Sequence, residues 1–225
     1  MEICQELGNI QVATQGKYLG LPMVITSSKQ QLFGFIKDNI QQRMKKWKNK
    51  MLSAAGKEVM LKSVTMAMPT YTMSCFKMPK KICKEINAVM ANYWWGEANG
   101  KNKLHWRSWS KISLDRKDGG LGFKDLATFN AALLGKQVWR LLTQPNLLVS
   151  RVLKDKYHPR DSLLKCKVAG NASWIWKGLL GARHLIEKGS RRRIGNGKST
   201  HIWEDSWLPD KHQGKVTTLK PQGCK

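Results

Sequence analysis

Apolar side chains at helical spacing, cut into short runs by proline and glycine, constrain this chain more than any other feature. Phe33, Ile36, Ile40, Met44, Trp47 and Met51 advance by three or four residues at each step, the period of one helix face. A long amphipathic helix is predicted there, capped by Ser27 or Ser28. Its outer positions Arg43, Lys46 and Lys50, with Lys45 and Lys48 close by, form a basic stripe along one edge. A solvated helix face produces such a stripe as readily as a phosphate-binding one.

The same punctuation continues. Ser53 caps a second predicted helix from Ala54 to about Met68, with Met60, Val64 and Met68 recurring every fourth residue until Pro69 intervenes. Gly56 in its first turn weakens a helix relative to alanine, which suggests close packing or backbone approach. A third helix follows Pro79, with Ile82, Ile86, Val89, Met90 and Tyr93 on one side, and ends near Trp94-Trp95-Gly96. The paired indoles read as a core plug, or as a platform on which bases stack.

Asp118 to Phe123 forms a glycine-rich turn, and Asp125 caps a helix that buries Leu133, Leu134, Val138, Trp139 and Leu142 before Pro145. Two further helices are predicted, from about Leu147 to Tyr157 and from about Ala172 to Lys188, the latter stopped by Gly189 as a C′ glycine. Arg191 to Ile194 and Ser199 to Glu204 flank Asn196-Gly197, a strong two-residue hairpin signal. The predicted class is mainly α with one small C-terminal β-hairpin.

The 225 residues hold 40 Lys plus Arg against 15 Asp plus Glu, a formal charge of +25. Residues 1–112 carry 18 basic and 6 acidic side chains and residues 113–225 carry 22 and 9, so the excess is spread along the fold. An extended polyanion touched by much of the surface is the simplest partner, which points to RNA, DNA or their hybrid. An anionic membrane is the competing partner, but it would favour one basic amphipathic helix or a lipid signal, and no lipidation motif is found at either end. With 41% hydrophobic residues the chain can bury a real core. No run approaches the ~20 apolar residues of a membrane helix. Glu2 and Glu6 argue against a targeting segment, so an intracellular site, nuclear or organellar, is expected. The five cysteines are odd in number, widely spaced and without a C-x-x-C pair, which fits free thiols in a reducing compartment.

Motifs for chemistry fail one by one. Gly195-Asn196-Gly197-Lys198-Ser199-Thr200 resembles the end of a phosphate-binding loop, but Arg192 occupies the place of the first glycine and a strand-like run follows. Gly119-Gly120-Leu121-Gly122 lacks a surrounding βαβ unit. The pairs Asp115/Asp118 and Glu204/Asp205 are poor candidates for a two-metal site. No catalytic centre, metal site or cofactor is predicted. The dense cations Arg191, Arg192 and Arg193, with Lys198 and Trp203 nearby, suit phosphate contact.

Several motifs are nonetheless specific. Tyr18-Leu19-Gly20-Leu21-Pro22 is followed by Trp47, Leu52-Ser53-x-Ala55-Gly56-Lys57-x-x-x-Leu61-Lys62-Ser63-Val64 and Pro69-x-Tyr71-x-Met73-Ser74-x-Phe76-x-Met78-Pro79. Then come Trp94-Trp95-Gly96, Trp106-x-x-Trp109, Lys117 to Leu126, the Phe129-Asn130 to Trp139-Arg140 helix, and Gly195-Asn196-Gly197 through Trp203 to Trp207-Leu208-Pro209. In this order, over about residues 6–210, they resemble plant LINE-type (non-LTR) retrotransposon reverse transcriptases, and also short uncharacterised plant organellar reading frames.

The resemblance implies the region after the polymerase palm. Residues 1–26 would be the end of the palm, 27–96 a helical thumb-like domain, 97–210 a helical connector with a hairpin near 191–204, and 211–225 a tail. The palm aspartates, the endonuclease and the ribonuclease H residues of that family have no counterpart here, so the implied protein is a non-catalytic fragment of an RNA-directed DNA polymerase. A thumb grips primer–template by its backbone. The expected contacts are Arg43, Lys45, Lys46, Lys48, Lys50, Lys57, Lys62, Arg191, Arg192, Arg193 and Lys198, with a palm-bearing polymerase chain as a further partner in trans. The alternatives are a relic and a captured stand-alone RNA-binding or interaction protein.

Overall fold

The computed structural model describes residues 17–18, 21–22, 29–48, 52–98, 101–191, 193–198, 200–203, 205–208 and 214–219. Eight α-helices run along the described chain: α1 (Lys29–Lys48), α2 (Ala54–Met60), α3 (Thr70–Cys75), α4 (Lys80–Trp95), α5 (Trp109–Ile112), α6 (Leu126–Thr143), α7 (Leu148–Tyr157) and α8 (Trp174–Gly189). Two minimal antiparallel ladders accompany them. β1 (Lys17–Tyr18) pairs with β2 (Leu21–Pro22), and β3 (Glu97–Ala98) pairs with β4 (Lys101–Asn102). No helix among the described residues is long and apolar enough to cross a membrane. The chain divides into two compact units, Met1–Asn130 and Ala131–Lys225.

In the first unit α1 packs on α4 as its periodicity dictates. Phe33, Ile36, Ile40 and Met44 are buried, and so are Ile82, Cys83, Ile86, Met90 and Tyr93 of α4. Each of these buried Phe, Ile and Met side chains contributes about 1.5–3 kcal/mol of burial. Trp47 meets Tyr93 edge-on at 6.1 Å. Gly96 ends α4 at φ +81°, a conformation that glycine adopts without a Cβ penalty.

The second predicted helix differs in register. Ser53 caps α2 as expected, its hydroxyl accepting the Gly56 N–H at 3.2 Å. The helix then widens into a π-turn over Leu61–Thr65, closed by a bond from the Met66 N–H to the Leu61 carbonyl at 3.0 Å. A five-residue step advances the buried face by one position. Leu61, Thr65 and Met66 are buried, while Met60, Val64 and Met68 are only half-buried. A Cβ at Gly56 would meet Leu52 and Ser53 at 3.5–3.6 Å, ordinary contact, so close packing does not account for this glycine.

Asn130, 3% exposed, closes this unit from the start of α6. Its amide donates to the carbonyls of Met73 (2.6 Å) and Phe76 (2.9 Å) and accepts the Met78 N–H at 2.8 Å. One side chain thereby satisfies three buried backbone groups of the loop leading into α4.

The second unit is built on Trp176, fully buried, with Leu134, Val138, Leu163, Cys166, Leu179 and Leu180 around it. Tyr157 and His158 stack on its indole at 4.8 and 5.5 Å. The Tyr157 hydroxyl accepts the Ser173 N–H, which holds the phenol below its usual range. Two details depart from expectation. Trp139 is 48% exposed instead of buried, because Leu134 and Val138, one turn apart, carry the buried face of α6. Gly189 is the last residue of α8, and the cap is Ser190 in an extended conformation.

The C-terminal hairpin predicted near 191–204 is not formed among the described residues. Gly197 does turn the chain at φ +73°, and the Asn196 side chain accepts the Lys198 N–H at 3.2 Å. The following backbone groups then bond locally instead of across a ladder: Thr200 N–H to Gly197 O, and Asp205 N–H to His201 O, both at 3.0 Å. The Asp205 carboxylate accepts the His201 N–H in return. A local side-chain acceptor competes with strand pairing for the same donors, and the mainly helical class stands without the hairpin.

Candidate nucleic-acid interface

Burying Phe33, Ile36, Ile40 and Met44 turns the opposite side of α1 outward. Arg43, Lys45 and Lys46 are exposed there, and none pairs with a carboxylate among the described residues. Arg43 and Lys46, three residues apart, are neighbours on the helix surface. The helix is held in place by more than its apolar face. Lys37 donates to Glu85 of α4 at 2.9 Å. That bond keeps the Lys37 amine above its usual range and the Glu85 carboxyl below its own. The outer cations are therefore presented on a fixed rod. Lys50 and the side chain of Lys48 lie outside the described residues.

Lys57 and Lys62 occupy a different setting. The Lys57 amine donates to the Trp94 carbonyl at 3.3 Å and lies 6.0 Å from the Tyr93 ring centroid. The Lys62 amine donates to Glu58 at 2.8 Å and to the Leu121 carbonyl at 2.5 Å, and lies 5.5 Å from the centroid of Phe123. Glu58 also accepts from Arg116 at 2.7 Å, and these two cations hold its carboxyl below the usual carboxylate range. Both lysines tie helices and turns of the first unit together.

In the second unit Arg191, Arg193 and Lys198 are exposed, and Arg192 lies outside the described residues. The structure adds residues that charge patterning alone does not single out. Trp106 is 79% exposed between His105 and Trp109. Trp94 is half-buried edge-on to Phe123, and Trp95 stacks on His105, so the paired indoles are engaged inside the protein on at least one side. The only signal for Trp106 in the sequence was its motif partner Trp109, and that spacing does not reveal exposure.

No protein-family model matches the chain. Over 146 residues, 64% of this chain and 95% of the other, it is 41% identical to an uncharacterized mitochondrial protein of Arabidopsis thaliana. Over 194 residues, 85% of this chain, it is 31% identical to another protein of that plant, named "Putative ribonuclease H protein". The match spans 31% of that longer protein.

Proposed function

Since the chain belongs to the family of the uncharacterized mitochondrial protein of Arabidopsis thaliana, we propose that it is a retrotransposon-derived, non-catalytic nucleic-acid-binding protein. It holds primer–template nucleic acid by the backbone through the basic face of α1. The observation that carries this reading is the exposure of Arg43, Lys45 and Lys46, unpaired among the described residues, on a helix clamped to α4. The motif resemblance to LINE-type reverse transcriptases and the likeness to a longer protein with ribonuclease H in its name support the retrotransposon origin.

Phosphate contacts position a protein without reading sequence. Binding should therefore tolerate any sequence and weaken steeply with salt, each neutralised phosphate contributing about −0.9 to the log–log slope on duplex DNA. The test is affinity for a labelled duplex from low to high salt, for the wild type and for Arg43→Gln/Lys45→Gln/Lys46→Gln. The triple variant is expected to lower the slope by up to about 3 units. A flat response in a folded wild-type sample sinks the proposal.

One observation favours a second reading, a stand-alone RNA-binding protein with no polymerase role. The matched region accounts for 95% of the mitochondrial relative. Selective association with particular transcripts supports that reading, and copurification with a palm-bearing polymerase chain supports the first.

A further inference from the structure

α7 is seated on the second unit by one narrow stripe. Ser150 is buried and donates from its hydroxyl to the Gln144 carbonyl at 2.8 Å. Leu153 and Tyr157, half-buried, pack against the cluster around Trp176. The other seven of the ten residues of α7 are exposed. Among them are Leu148 at 76%, Val149 at 49% and Val152 at 53%. Val152 lies four residues from Leu148 and three from Val149, so the three meet as one patch on the helix surface. Scattered exposed apolar side chains are ordinary, whereas a contiguous patch with a polar rim marks an interaction surface.

The rim selects the partner. Arg151, three residues after Leu148, and Lys156, four after Val152, border the patch on its two sides, and both are exposed. Asp155 is the one carboxylate of the helix. Residues 141–150 carry no charged side chain, and Thr143, Gln144, Pro145 and Asn146 of that stretch are exposed. An apolar patch between cations, led in by an uncharged turn, complements anionic headgroups lying over hydrocarbon. The long Lys and Arg stems keep the charges at headgroup level while the patch goes deeper. A protein partner fits less well. A standard protein interface engages about 20–30 residues a side, and α7 offers one side of a helix about 15 Å long. A fluid lipid surface makes no demand of shape or extent. Charge patterning alone does not single out this helix, because only the seating stripe tells which of its apolar residues face outward.

We propose that α7 docks on an anionic lipid surface, lying in its plane with Leu148, Val149 and Val152 below the headgroups and Arg151 and Lys156 among the lipid phosphates. This adds attachment to a membrane through the second unit and does not depend on the α1 reading.

The test is co-sedimentation of the full chain with phosphatidylcholine vesicles, with and without phosphatidylserine. The wild type should bind the anionic vesicles and leave the neutral ones. Leu148→Ser/Val149→Ser/Val152→Ser, all at exposed positions, should keep the unfolding midpoint and weaken vesicle binding on the order of 10- to 100-fold, the loss of several buried methyl groups. Its duplex affinity should stay within about twofold, since the cations that meet phosphate are untouched. Arg151→Gln/Lys156→Gln should weaken anionic-vesicle binding on the order of 10- to 30-fold, the loss of two cations at a charged membrane surface. Vesicle binding unchanged in either variant, or a wild type that ignores phosphatidylserine, overturns the proposal. An equal loss of duplex affinity in the serine variant assigns the patch to nucleic acid, and a self-associating wild type beside a monomeric serine variant assigns it to a second copy; both outcomes also overturn it.

Discussion

Two glycine turns, one in each unit, carry similar sequence punctuation and differ in what holds them. Around Gly119–Gly122 the chain is fixed by groups distant in sequence. Leu121 and Gly122 donate to the carbonyls of Ile112 and Leu114 at 2.7 and 2.8 Å. Arg107 donates to the Gly119 carbonyl at 2.9 Å, and Lys62 to that of Leu121. Around Gly195–Gly197 the bonds among the described residues reach two to four residues, and none of the described residues lies within 4 Å of a Cβ at either glycine. The first turn is shaped by tertiary structure and the second by its own side chains. A turn signal thus specifies a reversal of direction, while a ladder or a lock requires partners elsewhere.

Substitution at Gly120 should break the first turn outright. A Cβ there would stand 2.0 Å from the Leu114 carbonyl oxygen, a backbone atom that cannot swing away. Gly120→Ala is expected to cost on the order of 3–5 kcal/mol, the upper range for point substitutions. Urea denaturation should show the lowered midpoint, and hydrogen exchange should show lost protection at the Leu121 and Gly122 amides. Unchanged protection would mean that the turn does not depend on this close approach.

Lys62→Met tests the lock from the other side. It removes the bonds to Glu58 and Leu121 while keeping the stem, for an expected loss of about 1–3 kcal/mol. Affinity for nucleic acid should change little at a temperature where the variant stays folded. A drop in duplex affinity comparable with that of the α1 triple variant would place Lys62 among the proposed nucleic-acid contacts.

Acid provides a reversible version of the same break. Glu58 is held below its ordinary pKa by Lys62 and Arg116, so the stability it contributes is fully present above the unfolded value of about 4.5. It is lost as pH falls through the lower folded value. Denaturation midpoints measured from pH 6 down to pH 3 should fall less steeply in Glu58→Gln than in the wild type. Parallel curves would show that the carboxylate is not coupled to the lock.

How much of this was legible in the sequence depends on the range of the forces involved. The faces of α1 and α4 follow directly from the spacing of Phe33 to Met44 and of Ile82 to Tyr93, because burial imposes the period. Caps at Ser53 and Asp125 are local and were equally readable. The π-turn after Met60 was not, since its cause lies in which of Leu61 and Met60 finds the core. Nor was the use of Lys57 and Lys62, whose partners Trp94 and Leu121 are 37 and 59 residues away. Net charge points only to the class of partner proposed above, and separating solvated cations from engaged ones needed the contacts.

The smallest expected effect completes the contrast. Gly195 has open space around its Cβ position and no positive φ, so the second turn makes no steric demand on it. Gly195→Ala should change stability by less than about 0.5 kcal/mol, with a slight gain from the stiffer unfolded chain. Gly197, at φ +73°, should resist the same change by about 1–2 kcal/mol, the cost of a left-handed conformation for a residue with a Cβ. Measured side by side, the two separate a glycine required by backbone angle from one required by nothing. A large loss at Gly195 would mean that the segment has a tertiary partner after all and that the two turns are alike.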